Sequence, residues 1–359
     1  MQKHIEINAQ FKKALEVIEH TSKHVFITGK AGTGKSTLLE YFRNNTAKKI
    51  VVLAPTGVAA LNVGGETIHS FFGFKPDITL QKVKKLKGKK AAIFKEIDAI
   101  VIDEISMARA DLLDCVDRFM RVNGADAKRQ FGGIQMVFIG DLYQLPPVVT
   151  AKEKALFSGR YRSAYFFDAD VFKELSLEFI ELDKVYRQKD EEFIRILNAI
   201  RNNSLTDEDL SLLNKRFGAA FAPKSDSGYT VYLTVTNKIA AEINRRQLEA
   251  LKTKSYTYRA QVEGDFKEYS YPVDLELSIG IGAQAMLLNN DAKGRWVNGS
   301  LAKVTAIKHN EENGIDAIMV RLSDGTTEEV LPFRWDIFHF SFNEDSYTIE
   351  TETLGSFTQ

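Results

Sequence analysis

Cysteine is almost missing from this chain: Cys115 stands alone in 359 residues. That excludes an intrachain disulfide and a cysteine-based zinc site. No apolar run approaches the ~20 residues needed to cross a bilayer. The opening residues, MQKHIEINAQ, carry neither the apolar core nor the small-residue cleavage site of a secretory signal. Internal repeats, low-complexity tracts and Pro- or Ser-rich linkers are absent as well. Net charge is zero, because 48 basic side chains balance 48 acidic ones. A neutral chain can still hold a polyanion if its lysines and arginines line one channel, so charge balance neither favours nor excludes nucleic acid. What remains is the expectation of a soluble protein from a reducing, cytoplasmic compartment. A 44% hydrophobic content supports a sizeable core, and the length suits two or three domains.

Four short apolar runs punctuate the first half: 24–28 (HVFIT), 50–54 (IVVLA), 99–102 (AIVI) and 134–139 (IQMVFI). Being apolar on both faces, they predict buried parallel strands. Helical stretches at 36–43, 58–61 and 110–121 lie between them, and the alternation predicts a parallel sheet covered on both sides. A second block starts near residue 181, with a helix over 191–201, a strand over 230–236 (TVYLTVT) and a long helix over 240–251. From about residue 274 the texture changes to short strands and tight turns. Asn298-Gly299 and Asp324-Gly325 are hairpin signals, since such pairs accept positive φ. A small antiparallel barrel is expected there, and 354–359 (LGSFTQ) offers no closing element.

The segment 29–36 (GKAGTGKS) follows an apolar strand and precedes a helix, which is the context a phosphate-binding P-loop requires. Gly32 and Gly34, flanking Thr33, let backbone amides turn toward phosphates. Lys35 would reach β- and γ-phosphate oxygens. Ser36 would ligate Mg²⁺, and Thr37 continues the helix start, whose dipole favours anions. Two acids close the strand 99–102. Asp103 suits Mg²⁺, usually through its waters, and Glu104 would orient or deprotonate a water. Together these predict ATP hydrolysis. Gln144, in 140–148 (GDLYQLPPV), either stands where a γ-phosphate sensor belongs, with Pro146-Pro147 stiffening the exit, or is part of a proline-stopped turn.

At this point a resemblance becomes specific. The segments 54–72 (APTGVAALNVGGETIHSFF), 131–148 (FGGIQMVFIGDLYQLPPV) and 182–201 (LDKVYRQKDEEFIRILNAIR) resemble the Pif-type family of superfamily 1 DNA helicases. GTGKS, DEIS, GDxxQLPPV and YRQ stand in the family's order, and FGGIQ resembles the signature separating it from RecD-type helicases. The resemblance implies an α/β fold: a RecA-like P-loop NTPase parallel sheet over 1–180, the start of a second RecA-like domain over 181–273, an inserted SH3-like β-barrel over 274–345, and a return toward the second domain over 346–359.

It also implies roles. Gln10 corresponds to the adenine-reading glutamine and Arg187 to the arginine reaching the γ-phosphate from the second domain. Pro55, Thr56, Gly57 and Val58 correspond to one contact with single-stranded DNA. His69 and Ser70 correspond to a second, and Thr236 and Asn237 to a third. The implied partners are single-stranded and forked duplex DNA, translocation runs 5′ to 3′, the motor is a monomer, and the setting is genome maintenance. Two features stay open. Lys82, Lys84, Lys85, Lys87, Lys89 and Lys90 either grip duplex phosphates or form a solvated helix face, and Trp296 either stacks on a base or anchors the barrel. Segments like HKSQG and ALSR are not found, so the expectation is a chain truncated before them and weak in turnover. Rival readings are a AAA-type ATPase, which would carry an all-helical lid, and a non-enzymatic DNA-binding module.

Overall fold

A computed structural model describes residues 7–75, 77–87, 91–149, 159–184, 190–215, 217, 229–266, 268, 271–309, 316–343, 346 and 348–359. Its first half is built on six parallel strands: β1 (His24–Gly29), β2 (Ile50–Ala54), β3 (Glu66–Thr67), β4 (Ala99–Ile102), β5 (Gln135–Ile139) and β6 (Leu177–Leu182). They lie side by side in the order β3-β2-β4-β5-β1-β6. Successive residues of each strand face opposite sides, and both sides are apolar. Val25, Ile27, Val137 and Ile139 meet one set of helices, α1 (Ala9–His20) and α2 (Lys35–Asn45), through Ile18, Leu38 and Phe42. Phe26, Ile100, Ile102 and Phe138 face the other way, onto α6 (Ala110–Asn123) and a cluster of phenylalanines. Burial on two faces is why β1, β2, β4 and β5 read as continuous apolar runs. The smaller helices α3 (Gly57–Asn62), α4 (Ile68–Phe71) and α5 (Ile93–Glu96) lie on the crossovers. Cys115 is buried on α6, and burial pushes its thiol up to about 12, so it is inert.

Helix α1 ends on a polar joint. The Lys48 amine donates to the carbonyls of Ile18 (2.5 Å) and Thr21 (2.7 Å) and to Gln135 Oε1 (2.8 Å). Gln135, 2% exposed at the head of β5, returns a hydrogen bond to the Lys23 carbonyl at 2.8 Å. One side chain thus satisfies carbonyls that a helix end leaves open and ties that end to the sheet.

The second block holds α7 (Glu191–Arg201), α8 (Asp207–Asn214) and α9 (Asn237–Ala250). Residues 230–236, expected as a strand, form none. No ladder partner exists for them among the described residues, and Leu233 and Val235 are 94% and 93% exposed. Alternating apolar residues suit a sheet, but a strand needs a neighbouring edge. The second parallel sheet is accordingly not formed among the described residues. The strands that follow α9 are antiparallel, unlike the helical lid a AAA-type ATPase would have.

Strands β7 (Ser255–Arg259) and β9 (Glu276–Gly280) pair with each other, and β10 (Gln284–Leu287), β11 (Ser300–Lys308), β12 (Ala317–Leu322) and β13 (Thr327–Val330) form a meander. The two ladders share one core of Ile279, Leu287, Trp296, Val304 and Val320. Trp296 is 7% exposed, with the Arg295 guanidinium 4.4 Å from its ring centre. It is a core anchor, and a base cannot reach it. Asp324-Gly325 turns β12 into β13 as expected. Asn298-Gly299 also turns, with Gly299 at φ +89° and Ser300 N–H donating to Val297 O at 2.9 Å. Trp296 and Val297 are not a strand arm, however, because the connection from β10 is longer than a hairpin loop.

The last strands correct another expectation. β14 (Arg334–Asn343) pairs along its length with β15 (Thr348–Thr358), which also pairs with β8 (Gln261–Gly264), and Phe357 is fully buried. The terminal residues are therefore a closing element. Near its turn this hairpin meets the first half: Phe340 enters the phenylalanine cluster, and its N–H and His339 both reach the buried Glu66 at 3.3 Å. Lys82 ends a short 3-10 turn (Leu80–Lys82), and the described lysines after it are not helical. Residues 83–87 are irregular, and Asn123 of α6 pins them by accepting from Leu86 N–H and donating to the Lys84 carbonyl. Lys89 and Lys90 lie outside the described residues.

Replacing Lys48 with methionine keeps its aliphatic stem but strands three acceptors. Urea denaturation is expected to show a loss of about 1–3 kcal/mol; an unchanged midpoint would mean that water replaces the amine without cost.

Candidate functional site

Parallel strands end along one edge, and the phosphate loop, the Asp103–Glu104 pair and the Asp141–Gln144 turn each stand at or just past such an end. After β1 the loop needs backbone that ordinary residues resist. Gly29 has φ +156°, and a Cβ there would lie 2.4 Å from the Leu182 carbonyl of the neighbouring strand. Gly34, at φ +90°, is the N-cap of α2. Both tolerate these angles because they lack a Cβ. Thr33 is buried, and its hydroxyl closes the loop by donating to the Lys30 carbonyl at 2.9 Å. Ser36 and Thr37 are exposed in the first turn of α2.

Lys35 folds back on the loop, donating to Gly29 O at 2.7 Å and Lys30 O at 3.2 Å. Burial lowers its pKa, the carboxylates of Asp141, Glu104 and Asp103 pull it back up, and Arg201 lowers it further. The amine thus feels the charge of three carboxylates and a guanidinium while touching the two loop carbonyls. Asp103, 7% exposed, has its carboxyl pushed up to about 6 by burial and by Glu104, against the opposing pull of Lys35. Glu104 adopts φ +49°, ψ +41°, the left-handed region that is uncommon for a residue with a side chain. That turn lets the chain leave β4 with two adjacent acids at the strand end.

Past β5 stands Asp141, 1% exposed. It accepts from Tyr143 N–H (3.1 Å), Gln144 Nε2 (3.3 Å) and two nitrogens of Arg201 (2.8 Å each). Burial would raise its carboxyl, but the hydrogen bonds from Arg201, Tyr143 N–H and Gln144, together with the Arg201 charge, hold it below the usual range. A cleft of about 460 Å³ separates Lys30 and Ala31 of the loop from Ile194, Leu197 and Arg201 of α7. No group of three or more His, Cys, Asp or Glu residues gathers as a metal site among the described residues.

Other expected residues fall in two places. Gln10, in the first turn of α1, donates to Asp183 just after β6 at 3.0 Å. Arg187 lies outside the described residues. The three groups assigned to DNA all stand at helix N-termini. Thr56, after Pro55, caps α3 (Gly57, Val58), with Val58 49% exposed. Thr67 caps α4, accepting from Ser70 N–H. Thr236 caps α9, whose first residue is Asn237. Such ends offer free amides to phosphates. His69 is half-buried; burial and then Arg109 lower its pKa, with Asp111 opposing, so it is neutral at pH 7. Arg201 is the residue that sequence reasoning missed. An arginine ending an amphipathic helix looks like an ordinary partner of the helix dipole.

The PIF1-like helicase family model matches residues 5–211. The ATP-dependent DNA helicase PIF1 of Mus musculus is 32% identical over 87% of this chain and 47% of its own length. Bacteroides sp. Pif1 in complex with ADP-AlF4 is 34% identical, with a TM-score of 0.88 over 99% of this chain and 80% of that one. Bacteroides Pif1 bound to ssDNA has the same identity and coverage but a TM-score of 0.62. The chain spans less than half the length of several curated relatives that it matches.

A carboxyl titrating near 6 in the folded chain and near 3.8 outside it favours the native state when protonated. Its stabilising effect is complete below about pH 4 and is lost as pH rises to 6 and above. In metal-free buffer, Asp103→Asn is therefore expected to exceed wild type by about 1–3 kcal/mol above pH 6. The gap should shrink toward pH 4. Thermal melts across this range check it, and a pH-independent gap would contradict the assignment.

Proposed function

Because this chain belongs to the PIF1-like helicase family, we propose that it is the motor of an ATP-dependent DNA helicase, translocating 5′ to 3′ on single-stranded DNA and opening forked duplexes. The observation that carries this reading is spatial. Lys35, the Asp103–Glu104 pair and the Asp141–Gln144 turn stand along one edge of a single sheet, and Thr56, the first DNA-facing cap, follows β2 in the same sheet.

The chemistry follows from the residues. The positive-φ glycines aim loop amides at the phosphates, and Lys35 trades the carbonyls of Gly29 and Lys30 for β- and γ-phosphate oxygens. Asp103 and the Ser36 hydroxyl are hard oxygen donors, and a buried carboxyl displaced upward gains from a neighbouring cation, so the pair fits Mg²⁺. Bound there, Mg²⁺ neutralises charge on the phosphate oxygens. Glu104, beside Asp103 and turned out of the strand, orients and deprotonates the attacking water. Gln144, held only at 3.3 Å by Asp141, is free to turn to the γ-phosphate and to release it after hydrolysis.

The capped ends of α3, α4 and α9 grip phosphates without reading bases. Two grips on the first half and one on the second allow a strand to be passed along as the cleft opens and closes. We assign Arg187 the γ-phosphate from the far side of the cleft and Gln10 the adenine. A monomer acting in the cytoplasm, nucleoid-associated in a bacterium, completes the reading.

Steady-state ATP hydrolysis with and without single-stranded DNA tests it, with Glu104→Gln as the blank. The expected result is DNA-stimulated turnover that drops at least about 100-fold in the variant. Equal rates in both proteins would sink the role of Glu104. Failure to bind an oligonucleotide would remove the DNA half of the reading.

A further inference from the structure

The turn after β5 is organised on one carboxylate. Asp141 accepts from Tyr143 N–H and Gln144 Nε2, and its own carbonyl accepts from Gln144 N–H at 3.0 Å. At 1% exposure, that carboxylate is stable only if its charge is matched. The match comes from 60 residues away, at the last residue of α7: Arg201, 17% exposed, donates through both terminal nitrogens at 2.8 Å. The same guanidinium lies 4.0 Å from the Tyr143 ring centre, so its edge holds Asp141 while its face covers the tyrosine. Lysine cannot do both, having one compact charge and no planar face. The cleft that separates α7 from the phosphate loop is lined by these same groups.

We infer that Arg201 is a positioning residue for nucleotide hydrolysis: it occupies Asp141, which keeps Lys35 available to phosphate and Gln144 poised, and it carries movement of the sensing turn into α7. The inference rests on the ATPase reading above. Its physical core is competition. Asp141 acts electrostatically on Lys35 together with Glu104 and Asp103, and Arg201 is the cation that satisfies it. Without Arg201 the buried carboxylate is left to the cations of the phosphate loop, and its pull on Lys35 then withdraws that amine from the phosphates. Gln144 then also loses a fixed anchor.

Three variants, Arg201→Gln, Arg201→Lys and Arg201→Gln/Asp141→Asn, test this beside wild type and Lys35→Ala. Affinity is read from binding of a fluorescent ATP analogue, and turnover from hydrolysis with single-stranded DNA. Arg201→Gln is expected to weaken binding at least about tenfold, as removing one partner of a buried charge pair does. The double variant, with no charge left to capture Lys35, should recover affinity to within about threefold of wild type, yet its kcat should stay at least about tenfold down because the paired link from the sensing turn to α7 is gone. Arg201→Lys should likewise recover affinity more than kcat. A general structural defect would not split affinity from turnover in this way.

Wild-type affinity and kcat in Arg201→Gln would overturn the inference, as would a double variant that binds no better than the single. If Arg201→Gln does not fold, the double variant decides: near-wild-type affinity with reduced kcat supports the role, and wild-type kcat refutes it. Should wild type bind the analogue without hydrolysing it, the ATPase reading falls while the affinity comparison still judges Arg201. If wild type and Lys35→Ala fail equally to bind, both fall.

Discussion

Two backbone hydrogen bonds just beyond the strands govern this molecule. Gly140 N–H reaches Ile27 O at 3.1 Å, and Asp103 N–H reaches Leu53 O at 2.9 Å. Each extends a parallel ladder by one residue and sets where the chain leaves the sheet. The first places the Asp141 turn beside the phosphate loop, and the second fixes the two acids relative to β2. Because parallel strands share a direction, these exits fall along one edge, and side chains distant in sequence become neighbours there.

That edge is energetically uncomfortable. Glu104 takes a left-handed backbone, Gly29 occupies a space that no side chain could enter, and Asp103 stays buried at a cost that raises its carboxyl. Such features persist only where the surroundings over-determine them. Here the surroundings are a sheet apolar on both faces, packed by α1 and α2 on one side and by α6 with its ring of phenylalanines on the other. The core's stability holds three carboxylates and a lysine in a geometry that a cationic ligand and a polyphosphate would relieve.

Two of the contacts that hold the second half to the first differ in kind. Phe340 with Glu66 and His339 is a mainly apolar dock far along a long hairpin. Arg201 with Asp141 is an ion pair at the site itself. An apolar dock depends little on nucleotide, whereas an ion pair next to a phosphate site responds to any charge that enters. That pair joins the last residue of α7 to the turn after β5.

The sequence by itself determined the parallel sheet, the phosphate loop and the acids, because each follows from local rules: apolar runs of strand length, glycines where φ must be positive, a helix start after the lysine. It also made the turn at Asp324-Gly325 and the helix over 191–201 legible. It misled at 230–236, whose alternation suits a strand but whose edge partner is a matter of tertiary structure, and it left the lysine run open, where Asn123 of α6 holds residues 84–86 in an irregular path. Trp296 stood open between two uses until packing buried it. Arg201 left no mark at all, since an arginine ending a helix has an adequate local reason to be there. Only the folded chain brings it to Asp141. Charge pairing across 60 residues is decided by where the sheet's edge and the helix's end meet, and no local pattern encodes that distance.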